Sequence, residues 1–176
     1  ISNMVPSIPD YQKYSDNVLA PKLDPDVLEE IMKYEDLEDY SNPRYMELLM
    51  NNYYTEHIIR LPVSEWPEPL NRSFKHINHD VYVTMQGPSE FGVKGDATLK
   101  YWDIKDELNK IYVPTLSIGA TYDTMDPNQM KFISDKVQNG RFLLCPNGSH
   151  LSQFDDQEIY FEGLIKFIKD VDLGNF

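Results

Sequence analysis

The chain has 176 residues and a mass of 20.6 kDa, and 41% of its residues are hydrophobic, which is typical of a globular protein. Its formal net charge of −13, from 16 basic and 29 acidic residues, argues against a nucleic-acid partner and against binding to anionic membranes. The single cysteine, Cys145, permits no internal disulfide and no multi-cysteine zinc cluster. We therefore expect no metal and no cofactor, and we predict a cytoplasmic location with an export signal left open.

The chain begins ISNMVPSIPDY, without methionine, and its apolar start breaks at once into proline and serine turn residues. This pattern is typical of the last residues of a strand, which we place at 1–7. The sequence therefore suggests a fragment or one piece of a processed protein.

Helical spacing dominates the front half of the chain. Residues 24–40 carry an acidic N-cap, Pro25 at the first helical position and apolar residues at helical intervals. A second helix is predicted in SNPRYMELLMNNYYTEHI, capped by Ser41 or Asn42, and a shorter third helix in EPLNRSFKHIN. Because no convincing strand occurs, we predict that residues 8–100 form an all-helical unit.

From about residue 111 the hydrophobic period changes. IYVPTLSIGA and RFLLCP are strand-like runs, and between them lies a predicted helix that Asp126 caps and Asn139-Gly140 ends. The last segment, DQEIYFEGLIKFIKDV, has the spacing of a helix with a buried apolar face. Strands alternating with helices predict an α/β fold with a parallel sheet, whose ligand sites lie beyond the carboxyl ends of the strands.

An acid and a histidine follow these two strands. Asp123 comes after the first strand and His150 after the second, so we expect their side chains to lie within hydrogen-bond reach. An acid and the histidine base that it orients are the last two members of the Ser, Asp, His triad of α/β hydrolases, and they occur here in the same chain order. The alternatives are an Asp that forms a turn or caps a helix and a His at a polar surface.

The serine of such a triad is not found in the sequence. In GPSEFG, residue 91 is phenylalanine where the nucleophile elbow requires its second glycine, and no strand precedes Ser89. We therefore reject Ser89 and expect the nucleophile in an absent amino-terminal part. His57, His76 and His79 lack ligand spacing to carboxylates and are interpreted as surface or packing residues.

Three segments, MQGPSEFGVKGDATLKYWD, PTLSIGATYDTMDP and CPNGSHLSQFDD, resemble proline iminopeptidases of the α/β-hydrolase fold, and the resemblance covers essentially the whole chain. It implies the carboxyl-terminal part of such an enzyme: residues 1–7 end a core strand, 8–100 form a helical cap, and 101–176 form the carboxyl-terminal part of the core. It also implies hydrolysis of amino-terminal proline from a peptide, with Asp123 as triad acid and His150 as triad base. The expected partners are such a peptide and the missing amino-terminal portion.

The resemblance implies a role for Glu90, in GPSEF, as the cap glutamate that binds the free amino group of the substrate. The structural alternative is a carboxylate on a loop surface. Some relatives carry a second glutamate directly after the triad Asp, where this chain has Thr124. Thr124 and Asp126 are therefore candidate secondary amine ligands, although Asp126 precedes Pro127 and is typical of a helix N-cap.

Two other functions stay open at this point. One is a capped α/β hydrolase that acts on esters, amides or epoxides, in which the helical cap shapes another pocket. The other is a non-catalytic binding module in which the Asp and the His are remnants. A serine elbow upstream would argue against the binding module, and a panel of aminoacyl substrates would separate the two kinds of enzyme.

Overall fold

The structure is a computed structural model that describes residues 1–175. Its helices are α1 (Ile8–Tyr14), α2 (Pro25–Asp36), α3 (Pro43–Leu49), α4 (Thr55–His57), α5 (Glu68–Lys75), α6 (His79–Met85), α7 (Pro127–Lys136), α8 (Ser152–Asp155) and α9 (Gln157–Asp172). Its strands are β1 (Thr115–Ala120) and β2 (Gly140–Cys145). Short π-helical segments at Ser15–Leu19 and Met50–Tyr54, and 3₁₀ turns at Ala20–Lys22, Val63–Glu65 and Lys105–Lys110, complete the helical content.

Local capping explains where several helices begin. The Asp24 side chain accepts hydrogen bonds from two backbone N–H groups of the first turn of α2, as the sequence predicts. Asn42, and not Ser41, caps α3 through its side-chain oxygen. Two helices that the periodicity did not predict, α1 and α6, begin at the equivalent side-chain caps Ser7 and Asn78. Both are only seven residues long, so they carry too little apolar periodicity to be recognised.

Between residues 8 and 100 the structure describes helices and turns and no strand, as predicted. Most of this region packs around one buried aromatic and aliphatic cluster. Its most buried members are Leu19, Ile31, Tyr45, Leu49, Tyr53 and Ile59. Ile8 and Tyr11 of α1 belong instead to a second buried cluster, which includes Met130 and Ile133 of α7. The domain boundaries 1–7, 8–100 and 101–176 stay predictions.

The two strands form a parallel pair, as the strand and helix order predicts. Their register runs from Thr115 opposite Gly140 to Ala120 opposite Cys145, and α7 connects them and packs against both. On the other side of β1, the backbone of Ser2 bonds to Leu116 and Ile118 in a parallel bridge. The parallel pair and its connecting helix are the part of an α/β architecture that positions the site.

The predicted helix end at Asn139-Gly140 is wrong. Helix α7 ends at Lys136, and Gly140 is the first residue of β2. Gly140 is required for close approach: a Cβ atom there would lie 2.0 Å from the carbonyl oxygen of Ser134 in α7. The glycine therefore allows the carboxyl end of the helix to pack against the start of the next strand.

Replacing Gly140 by alanine is expected to lower the free energy of unfolding by about 1–3 kcal/mol, because backbone atoms must move to admit the new methyl group. Urea denaturation of the variant and the parent measures the difference. A change below about 0.5 kcal/mol would show that the contact between α7 and β2 relaxes without cost.

The prediction of a buried apolar face on α9 is wrong for most of its residues. Phe167 is buried at 6% exposure, whereas Ile165 and Ile168 are 47% and 44% exposed. The reason is geometric, since α9 shares an apolar cluster with β1 and β2 and this two-stranded sheet is too narrow to cover the whole apolar stripe. Among residues 1–175, no helix is both long enough and apolar enough to cross a membrane.

Candidate active site

The register of the two strands brings their following loops together. Ala120 and Cys145, the last residues of β1 and β2, are paired, and the backbone pairing continues beyond them. Thr121 N–H donates to the Cys145 carbonyl at 3.2 Å, and Tyr122 N–H donates to the Gly148 carbonyl at 3.1 Å. These bonds hold the loop that carries Asp123 against the loop that carries His150.

Asp123 and His150 form the side-chain contact that their positions predict. Nδ1 of His150 lies 3.0 Å from Oδ1 of Asp123, although the residues are 27 positions apart. Asp123 is 3% exposed, and the same oxygen accepts hydrogen bonds from the Met125 backbone N–H at 2.9 Å and from the Thr124 hydroxyl at 3.3 Å. A buried carboxylate held by three donors fixes the orientation of the imidazole ring.

The environment of His150 favours the imidazolium form. Burial by itself lowers the pKa of His150, but the Asp123 carboxylate, with a further contribution from Glu90, outweighs burial and raises it to about 9. The His150 side chain is 23% exposed, so the charged ring is only partly hydrated. A proton on this ring is therefore stabilised by the acid that bonds it.

Replacing Asp123 by asparagine is expected to lower the pKa of His150 from about 9 to below its ordinary value of 6.5, because burial then dominates. Titration of the imidazole signals by NMR in the folded protein measures the change. The raised pKa also means that His150 adds stability that is fully present below pH 6.5 and lost as the pH rises through about 9. A pKa that stays near 9 in the Asn variant would show that Asp123 does not hold the proton.

Glu90 lies on the loop after α6 and faces the same cavity as His150. Its carboxylate accepts hydrogen bonds from the Tyr82 hydroxyl and from Nε2 of Gln86, the latter at 2.8 Å. Its backbone is fixed as well: its N–H donates to the Tyr54 hydroxyl and its carbonyl accepts from the Tyr11 hydroxyl, both at 2.9 Å. Burial and the Glu90 carboxylate raise the pKa of Tyr82, so the phenol stays a hydrogen-bond donor. Glu90 is thus a positioned, partly buried carboxylate and not a mobile surface residue.

A cavity of about 170 Å³ joins Glu90 to His150. Ser73 and apolar side chains line the rest of it, the latter being Ile58, Leu70, Phe74, Ile77 and Leu151. A larger cavity of about 410 Å³ shares Phe74, Ile77 and Glu90 with the first and continues towards Trp66 and Tyr82. The site can therefore hold a small apolar group between a carboxylate and a histidine.

The other predicted residues have different surroundings. Thr124 is fully buried and donates to Asp123, and Asp126 caps α7 by accepting from the Asn128 N–H at 2.8 Å. Ser89 is buried with its hydroxyl 3.0 Å from that of Tyr45, and no bond joins it to His150 in the described residues. Within residues 1–175 no group of three or more His, Cys, Asp or Glu side chains is arranged to hold a metal ion.

Two acids that the sequence reasoning did not assign hold the His150 loop. Asp155 accepts hydrogen bonds from both the backbone N–H and the hydroxyl of Ser149. Asp156 accepts from the backbone N–H of Asn147 at 3.0 Å. The signal was present in the pair of acids that ends CPNGSHLSQFDD, but only the tertiary structure shows that they turn back onto the loop.

Parallel strands with an acid and a histidine at their neighbouring ends, next to a helical region, are the arrangement of the α/β-hydrolase fold, and solved structures agree. The crystal structure of VinJ matches 96% of this chain and 55% of its own, with a TM-score of 0.86 and 29% identity. By sequence the chain is similar to proline iminopeptidases: it is 55% identical over all 176 residues to the proline iminopeptidase of Elizabethkingia meningoseptica.

The match covers 58% of that relative, so the chain spans little more than half the length of the curated relatives. The crystal structure of proline iminopeptidase from Mycobacterium smegmatis matches the whole chain and 57% of its own, with a TM-score of 0.83 and 23% identity, which supports the fold. No model of a protein family matches the chain.

Proposed function

We propose that this chain is part of a serine peptidase that releases amino-terminal proline from peptides. The observation that carries the proposal is the contact between Asp123 and His150, together with the cavity that His150 and Glu90 both line. The names of the sequence relatives support the same activity. We further propose that the nucleophilic serine belongs to the part of the relatives' length that this chain does not span, and we call the two parts together the full-length enzyme.

The proposed chemistry follows from which ring nitrogen is engaged. In the neutral form of His150, which is the minority form below a pH of about 9, Nδ1 donates to Asp123 and Nε2 is free to take the proton of a serine hydroxyl as the serine oxygen attacks the carbonyl carbon of the first residue. Asp123 stabilises the imidazolium that forms. His150 then gives the proton to the departing amine, and water releases the proline from the acyl-enzyme by the same steps in reverse order.

Glu90 is proposed to select peptides with a free amino terminus. A carboxylate in a partly closed, largely apolar cavity pairs with the charged ring nitrogen of an amino-terminal proline, and this interaction is absent from an internal peptide bond. Tyr82 and Gln86 hold the carboxylate in place from the side. Asp126 is engaged as a helix cap, and Thr124 donates to Asp123. We therefore assign the main contact with the substrate amine to Glu90. Asp126 and Thr124 contribute at most a secondary contact.

The organisation of the chain belongs to the same proposal. Residues 8–100 are proposed to act as the helical cap that closes the site, between a core strand end at 1–7 and the core residues 101–176. Cys145 is free and buried, which is compatible with the reducing compartment of a cytoplasmic enzyme.

A comparison of two chromogenic substrates of the full-length enzyme tests the proposal. We expect turnover of a proline arylamide with a free ring nitrogen and little or none of the N-acetylated compound, because acetylation removes the charge that Glu90 binds. Equal turnover of both would point to a general amidase or esterase, and no turnover of either would contradict the proposed function.

A further inference from the structure

His57 touches both loops of the candidate site. It ends α4 and is 4% exposed, and its Nδ1 lies 2.7 Å from the carbonyl oxygen of Tyr122, the residue directly before Asp123. Its own backbone carbonyl accepts the N–H of His150 at 3.0 Å. One residue of the helical region therefore bonds to the loop of the acid through its side chain and to the base through its backbone.

The chemistry of this contact defines the state of the His57 ring. A carbonyl oxygen only accepts, so Nδ1 must carry the proton and donate it to Tyr122. Burial lowers the pKa of His57 and outweighs the opposing effect of the Tyr122 carbonyl, so the ring is neutral near pH 7. The ring of Tyr53 packs against it at a centroid distance of 4.8 Å and limits its rotation.

Neighbouring residues extend the same connection. The Ile58 carbonyl accepts the N–H of Leu151 at 2.9 Å, so the backbone pairing with the His150 loop covers two successive residues. The Arg60 guanidinium lies 3.6 Å from the centre of the Tyr122 ring and donates to the Asn147 carbonyl at 2.9 Å. These contacts connect the segment 57–60 to both loops at several points, and His57 bonds to His150 itself and to the residue directly before Asp123.

We propose that His57 is a positioning residue that sets the distance between Asp123 and His150. The inference rests on the proposed function, because it concerns the same acid and base. The two side chains sit on separate loops, so their 3.0 Å contact depends on whatever holds the loops in register beyond the strand ends. A displacement of about 1 Å in such a site can lower the rate about 100-fold. A residue that bonds to both loops should therefore have a measurable effect on catalysis.

Three substitutions in the full-length enzyme separate positioning from packing. His57→Asn keeps a donor at the position of Nδ1, whereas His57→Gln is polar but places its donor one bond further out, and His57→Leu removes it. We expect kcat to fall about 10- to 100-fold for Gln and Leu with KM little changed, and to stay within about 3-fold of the parent for Asn. His76→Leu, at an exposed histidine of the same region, is the matched control and should leave kcat unchanged.

The pKa of His150, followed by NMR, is the second measurement and does not require turnover. We expect it to fall in the Gln and Leu variants, because a longer contact with Asp123 stabilises the imidazolium less, and to be retained with Asn. Gln and Asn variants that are equal in kcat and in the His150 pKa would overturn the proposal, even if the Leu variant does not fold. A parent enzyme without proline peptidase activity would instead contradict the proposed function, while the His150 pKa of the variants would still decide the role of His57.

Discussion

Replacing Asp123 by asparagine in the full-length enzyme is expected to lower kcat for a proline arylamide by about 10³- to 10⁴-fold. The amide oxygen can still accept from the Met125 backbone N–H, so the loop keeps its shape. The negative charge beside Nδ1 is lost, and the imidazolium that forms during serine attack is no longer stabilised. Steady-state kinetics of the variant and the parent measure the effect, which should appear in kcat with little change in KM.

Asp135→Asn is the matched control for this substitution. Asp135 is an exposed carboxylate on α7 whose partner is Lys131, and its replacement should leave kcat within about 2-fold of the parent. If Asp123→Asn lowered kcat no more than Asp135→Asn, the contact with His150 would be structural and the assignment of Asp123 as the acid would be wrong.

Replacing Glu90 by glutamine is expected to cost on the order of 2–4 kcal/mol in kcat/KM for the free-amine substrate, or about 30- to 900-fold. Glutamine keeps the shape of the side chain and one acceptor oxygen for Tyr82 or Gln86, but it removes the charge that pairs with the ammonium group. The loss should be selective, because an ester or N-acylated substrate has no ammonium group to bind. Both substrates are measured on the same enzyme preparation.

The second substrate also separates two ways in which Glu90 could act. Glu90 contributes to the raised pKa of His150, and an effect transmitted through the base would change the turnover of both substrates to the same extent. A loss confined to the free-amine substrate identifies direct binding of the amino group. Glu158→Gln, at an exposed position of α9, controls for the general effect of removing one carboxylate, and equal losses at the two positions would return Glu90 to an unassigned role.

Much of the secondary structure could be predicted because its signals are local. The N-cap side chain before α2, the proline at its first position and the change of hydrophobic period near β1 all depend on residues that are adjacent or one turn apart. Helices α1 and α6 escaped prediction because a helix of seven residues has barely two turns in which to show a period. The end of α7 was misplaced because Gly140 is there for packing against Ser134 and not for a helix terminus.

The apolar face of α9 is only partly buried in this chain, which spans little more than half the length of its relatives. The pattern of apolar residues correctly indicates a helix with one apolar face, but burial also requires a surface that covers the face. In residues 1–175 the neighbouring sheet has two strands, so Phe167 is covered while Ile165 and Ile168 stay partly exposed.

The sequence by itself determined that Asp123 and His150 follow two strands of a parallel pair, because strand order and strand ends can be read from local pattern and a parallel register brings such ends together. Only the tertiary structure decided that Glu90 faces the cavity of His150 and that His57 bonds to both loops. The physical reason is sequence separation. Glu90 and His57 come from helices and turns far from the sheet along the chain, and their directions depend on how the whole helical region packs, which no local signal encodes.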